Sequence, residues 1–313
     1  MSEKKDIDIL CVGETLIDFI GTQKEQPIIK IKDYHRYLGG SPTNVAMNMS
    51  RFGLKVAMIA SVGQDGFGSY ILERLNENNI DTTGVSVHKS QPTTLIFISR
   101  TEHSPEFVPM RGADAHIVAA QFTDSLIFRA RVFHTTCFAL SRNPAQDAII
   151  AGAAKAYAAG CQLSIDINYS EKIWGDRQQA LKIIESYCGY NPMIKASEDD
   201  ISRLFGDKMS HEEFFKTMHD WGAKVICLTL GKDGAKLSEQ NSEVVSLEAF
   251  KVEQIMDATG AGDAFWSGFL FAYLKDKPLE ACMAAALQAA AIKLQNVGRV
   301  PDYAGLISSV FSL

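Results

Sequence analysis

Asp257-Ala258-Thr259-Gly260-Ala261-Gly262-Asp263-Ala264-Phe265 joins a glycine-rich turn to an apolar helix pattern that runs on to Leu274. Gly260 and Gly262 leave the backbone free to turn its amides toward an anion, and a helix starting there adds the positive end of its dipole. Asp263 stands where a proton acceptor is wanted beside a bound phosphate. The same spacing is also that of a plain turn with Asp263 as the helix N-cap. The rest of the chain has to decide between the two.

Working outward, residues 7–12 read as a buried strand. After Gly39-Gly40 comes a helix with Ser41 as N-cap, Pro42 at its first position, Val45, Met49 and Phe52 on one stripe, and Gly53 as its stop. A strand (55–61), a turn (63–68) and a helix (69–78) follow. Strands near 131–136, 161–167, 193–195 and 225–230 then alternate with helices near 144–159, 177–187 and 212–221, a rhythm that predicts an α/β fold with a parallel sheet. Two stretches break the rhythm, 18–37 and 93–110, and read as strands without helices between them. They predict a small β-sheet serving as a lid or an oligomer surface, with 1–17, 38–92 and 111–313 forming the main domain.

Composition removes several classes of function. The 313 residues carry 31 basic and 37 acidic side chains, a net charge of −6 with no dense Lys/Arg cluster, so no nucleic-acid partner is expected. Six scattered cysteines without a C-x-x-C read as reduced, buried thiols. His211-Glu212-Glu213-Phe214 lacks the second histidine of a zinc helix. The first residues lack the apolar core of a signal peptide. The weakly polar stretch 281–294 is interrupted by Gln288 and Lys293 and falls short of the ~20 apolar residues of a membrane span. The expectation is a cytoplasmic protein without a membrane partner. Gly231-Lys232-Asp233 is not a phosphate loop, and Cys11-Val12-Gly13-Glu14 offers one glycine where a dinucleotide fold needs three.

Gly39-Gly40-Ser41-Pro42-Thr43-Asn44-Val45-Ala46 and the segment 257–265 resemble the two signature motifs of the ribokinase (PfkB) family of carbohydrate kinases. Thr229-Leu230-Gly231-Lys232-Asp233-Gly234-Ala235 is similar to that family's nucleotide-contacting loop. The resemblance covers nearly the whole chain in order. It implies a ribokinase-like three-layer α/β/α domain with a small β lid, and an ATP-dependent kinase acting on a sugar hydroxyl.

Asp263 is then the general base, and Gly260, Ala261 and Gly262 form the anion hole. Asp18, Gly39, Gly40 and Asn44 contact the sugar, while Ser197, Thr229, Gly231 and Gly234 join Gly260 and Gly262 around ATP. Asp257 and Thr259 match positions that in many relatives hold a monovalent cation, usually K⁺, with further ligands near residues 296–298.

Three departures bear on substrate and metal. Arg111 resembles a lid-base arginine of fructokinase-like and 2-keto-3-deoxygluconate kinase-like members. Ser170 stands where those kinases place a second arginine, which turns the expectation from an acid sugar, with Lys172 or Arg111 as its remaining cations, to fructose. Ser197 and Asp200 replace the family's Asn-x-x-Glu. They suit a water-mediated Mg²⁺ and equally a helix cap. The alternatives are 2-keto-3-deoxygluconate or another sugar, and, outside enzymes, a sugar or nucleotide sensor. By analogy with relatives the lid is also expected to pair two copies in a homodimer.

Overall fold

Leu10, Val12, Ala57, Ile59, Phe133 and Ile165 belong to one buried cluster, whereas Ile9, Cys11, Met58, Ala60 and Val132, their neighbours in sequence, belong to another. Strands buried on both faces require a layer of helices on each side. The computed structural model describes residues 5–100, 106–296 and 303–312.

Strand β1 (Ile7–Val12) opens the main sheet, and the chain then runs out into a small sheet as β2 (Leu16–Lys24) and β3 (Tyr34–Gly39). It returns through α1 (Ser41–Arg51) to β4 (Val56–Gly63), crosses by α2 (Gly66–Glu77) to β5 (Asp81–His88), and revisits the small sheet as β6 (Leu95–Arg100) and β7 (Phe107–Met110). After α3 (Asp124–Ile127) come β8 (Ala130–Thr136), α4 (Ala145–Ala158), β9 (Gln162–Asp166), α5 (Glu171–Trp174), α6 (Arg177–Cys188) and β10 (Met193–Ser197). Next are α7 (Glu198–Phe205), α8 (His211–Asp220), β11 (Val225–Thr229), β12 (Ala235–Glu239) and β13 (Val245–Leu247). Helices α9 (Ala261–Leu274), α10 (Leu279–Leu294) and α11 (Ala304–Ser312) close the chain.

The main sheet has the order β13-β12-β11-β10-β9-β8-β1-β4-β5, parallel from β11 to β5 with an antiparallel edge at β12 and β13. Helices α4, α6, α7 and α8 cover one face, and α1, α2, α9, α10 and α11 the other. This is the expected three-layer α/β/α arrangement. The lid has the order β3-β2-β6-β7, with Phe19 stacked on Phe97 at 5.2 Å between centroids. Its strands reach from Leu16 to Gly39, slightly beyond the expected 18–37.

The structure departs from the sequence reading at several boundaries. Gly40, with φ 99°, is the N-cap of α1, and Ser41 is its first helical residue. Helix α2 starts at Gly66 because Asp65 caps it, accepting from the amides of Phe67 and Gly68. Strand β5 and the β12–β13 hairpin were not foreseen. Both are at the sheet margins and only partly buried, so they lack the apolar run that marks a central strand.

Candidate active site

Parallel strands present their carboxyl ends on one edge of a sheet, where open α/β folds bind ligands. On that edge lie Thr136, Asp166, Lys195, Ser197 and Thr229, with Asp166 opposite Lys195 and Ser197 opposite Thr229 in the β-ladder. The first turn of α9 sits over the same edge. Gly260 is its N-cap in the left-handed region (φ 77°), so the helix begins at Ala261 and Asp263 lies within its first turn. The alternative of Asp263 as the N-cap is thereby excluded.

The carboxylate of Asp263 instead crosses to α1, where it accepts from Ser41 Oγ at 2.6 Å and from Asn44 Nδ2 at 2.8 Å. This bond explains why Ser41 does not cap its own helix. Burial pushes the Asp263 carboxyl above its usual range, opposed by the bonds from Ser41 and Asn44 and by the charges of Lys195 and Lys293. The result is a buried carboxylate held by two donors and more basic than an exposed one.

Asp18 lies on β2 and is pushed up to about 7, first by burial and then by the Asp263 charge. A carboxyl in that range has both a donor-bearing and an acceptor-only form available near neutrality. A Cβ on Gly39 would stand 2.1 Å from Asp18 Oδ2, and one on Gly40 would stand 2.3 Å from the Glu14 carbonyl oxygen, so close approach within the chain fixes glycine at both positions. Glu14, not singled out in the sequence, is buried behind them. It accepts from the Ser41 amide at 3.2 Å and from Thr136 Oγ1 at 2.7 Å, and burial pushes it up to about 8.

Between the lid, α1 and α2 is a cleft of about 220 Å³ whose wall includes Asp18, Arg36, Asn44, Arg51, Tyr70 and Arg74. Arg36 stacks over the Tyr70 ring at 3.8 Å. Arg111 does not line it. Its side chain is 1% exposed, donates to Asp114 at 2.6 Å and to Ser141 at 2.9 Å, and lies over Phe138. Lys172 donates to the Phe107 carbonyl of the lid at 3.3 Å, and Ser170 precedes α5 without capping it through its side chain.

Ser197 and Asp200 form a reciprocal capping box at α7. Asp200 accepts from the Ser197 amide and hydroxyl at 2.8 and 2.6 Å and from the Tyr169 amide at 2.8 Å. Three of its roughly four lone-pair sites are thus engaged by the fold, and among the described residues no group of three His, Cys, Asp or Glu is arranged to hold a metal. Gly231 and Gly234, with φ 58° and 96°, shape the turn from β11 into β12, while Thr229 donates to the Ala196 carbonyl at 3.3 Å.

Two lysines escaped the sequence reading. Lys195 Nζ is 3.0 and 3.1 Å from the two oxygens of Asp166, both side chains being buried. Burial opposes its charge, but Asp166 prevails and keeps it protonated. A Cβ on Gly262 would stand 3.1 Å from this ammonium, which places the charge against the Gly260–Asp263 turn. Lys293, in the last turn of α10, reaches Asp257 from the other side: Nζ is 3.2 Å from Oδ2 and 3.5 Å from the Asp257 carbonyl, and 3.1 Å from the Asn296 carbonyl. Asp257 Oδ1 also accepts from the Thr259 amide at 2.9 Å. Of the positions expected to complete a cation site, Asn296 is described, whereas 297 and 298 lie outside the described residues.

The profile of the pfkB family carbohydrate kinases matches residues 6–302. An ATP-dependent 6-phosphofructokinase of Thermoanaerobacterium thermosaccharolyticum is 33% identical, over 99% of this chain and 96% of its own. The fructokinase structure from Halothermothrix orenii superposes with a TM-score of 0.79 at 33% identity, covering 91% of this chain and 98% of that one. An uncharacterized sugar kinase from Pyrococcus horikoshii, solved in complex with ATP, gives a TM-score of 0.82 at 27% identity with 93% of each chain covered. No helix among the described residues is long and apolar enough to cross a membrane.

Proposed function

The chain belongs to the pfkB family of carbohydrate kinases, and on that premise we propose that it moves the γ-phosphoryl group of ATP to a hydroxyl of a hexose, with Asp263 as general base. One observation carries this reading: the Asp263 carboxylate is fixed by Ser41 and Asn44 at the mouth of α9, between the lid cleft and the carboxyl edge of the sheet. Asp263 takes the hydroxyl proton as the oxygen forms its bond to the γ-phosphorus, and the bond to the departing ADP oxygen breaks. Charge on the phosphoryl oxygens is met by the amides of residues 260–263 and by the Lys195 ammonium beneath them. Asp18 grips the sugar, with Gly39 and Gly40 letting the chain fold tightly around it. Asn44 holds the base. Ser197, Thr229, Gly231 and Gly234 line the nucleotide side. Mg²⁺ entering with the phosphates would be held through water beside Ser197 and Asp200 and would offset charge on the phosphoryl oxygens.

Fructose is the first substrate, since Arg111 is consumed by Asp114 and Ser170 stands where the acid-sugar kinases of the family place an arginine. A second reading, fructose 6-phosphate, is supported by Arg36, Arg51 and Arg74 in the wall of the cleft and by the activity of the Thermoanaerobacterium relative. 2-Keto-3-deoxygluconate would draw on the same arginines. Coupled ADP release across these three compounds tests the reading. Turnover of fructose above both others is expected, and binding of a sugar without ADP release from any of them would make the protein a sensor instead. Val108 and Met110, about half exposed on the lid's β7, support pairing of two copies there.

Ser41→Ala removes a donor that holds the Asp263 carboxyl down. Its loss raises that carboxyl, and because the base acts only when ionised, the acid limb of the kcat/KM profile should move to higher pH. A fall in kcat of about tenfold accompanies it, the worth of one hydrogen bond to a charged group. An unmoved acid limb would separate Ser41 from the base.

A further inference from the structure

We propose that the ammonium of Lys293 stands in the place of the monovalent cation that the family resemblance assigns to Asp257 and Thr259, so that this enzyme turns over without potassium. The inference rests on the kinase reading above. The atoms around Nζ are a carboxylate oxygen at 3.2 Å and two backbone carbonyls at 3.1 and 3.5 Å, which is the oxygen set that suits a hard, singly charged cation. An ammonium has the same charge as potassium and a similar size, and its three donors match these acceptors one for one.

The lysine is also positioned to do what such an ion does. Its side chain is 9% exposed, and a Cβ on Gly260 would stand 3.7 Å from its Cε, so the lysine packs against the turn of the proposed phosphoryl site, at the edge of the cleft that Asp18 and Asn44 line. It draws the Asp263 carboxyl downward as a bound ion would. A potassium ion on the same carboxylate and carbonyl would lie within a few ångströms of the ammonium, a like-charge contact that disfavours binding both. The residues present therefore do not fit a resident potassium ion. They fit a tethered cation, which is always bound and loses no translational freedom on binding.

The test is turnover of the whole protein in potassium chloride and in tetramethylammonium chloride at equal ionic strength, with thermal melting in both salts. Equal turnover and equal melting are expected of the wild-type chain. Activation by potassium of about tenfold or more would overturn the proposal. Lys293→Ala is expected to lose about 10- to 100-fold in kcat without potassium, to recover with potassium or ammonium, and to acquire potassium-dependent melting. Full activity of that variant without any added small cation would overturn the proposal, as would a loss that neither cation restores while MgADP affinity stays normal. Should Lys293→Ala not fold, Lys293→Met keeps the aliphatic stem and removes only the charge, and its loss of turnover without potassium is the expected result. A wild-type protein that phosphorylates no sugar in either salt would count against the kinase reading itself.

Discussion

Asp263→Asn is expected to lower kcat about 10³-fold while leaving ATP affinity near that of the wild type, because a positioned base contributes roughly 10²–10⁴ to a proton transfer. Asparagine keeps the size of the side chain and one acceptor for Ser41 or Asn44, so the first turn of α9 stays packed. The measurement is steady-state ADP release together with calorimetric titration of MgADP. Wild-type turnover by the variant would remove Asp263 from the chemistry and leave its hydrogen bonds as bracing between α1 and α9.

Lys195→Met should cost about 10²–10³ in kcat, the range seen when one donor of an anion hole is lost. A buried cation beneath the positive end of α9 is unfavourable on its own, and becomes favourable when an anion lies on the turn above it. On the proposed mechanism the lysine supports the state in which phosphoryl charge is present. Its removal also raises the Asp263 carboxyl, so the acid limb of kcat/KM moves to higher pH while the sugar KM changes little. Since the single variant leaves Asp166 buried without its cation, Lys195→Met with Asp166→Asn separates this effect from misfolding. Equal losses in melting temperature, sugar affinity and kcat in both variants would mark the pair as structural only.

The layered sheet was legible because its central strands are apolar runs and its helices carry their own start and stop residues. Helix α1 shows where that legibility ends. Pro42, Val45, Met49 and Phe52 announce the helix, yet Ser41 reads as its cap because its true partner, Asp263, is 222 residues away. Asn44, expected to contact the sugar, lines the cleft and in addition donates to the same carboxylate, a bond the sequence did not announce. Lys195 sits inside a strand, and in the sequence Lys293 is no more than a polar break in an apolar stretch. Neither reveals a role until folding brings Asp166 and Asp257 against them. Asp200 was ambiguous between metal and cap for a sound reason: the same oxygens can serve both, and the Tyr169 amide, a donor brought in from 31 residues away, was not legible in the sequence.

Strand β2 is a ribbon of nine residues that follows β1 out of the main sheet and pairs with β3 on one side and β6 on the other, its register with β6 shifting between Ile20 and Lys24. At 3.3 Å per residue it spans nearly 30 Å, with Asp18 only about 7 Å from its root at Leu16. Treated as a stiff lever turning about that root, a tilt of about 5° that carries Lys24 through ~2.3 Å displaces Asp18 by only ~0.6 Å. Any tilt of the ribbon about that root would thus be geared, the far end travelling about four times as far as the Asp18 carboxylate near the fulcrum.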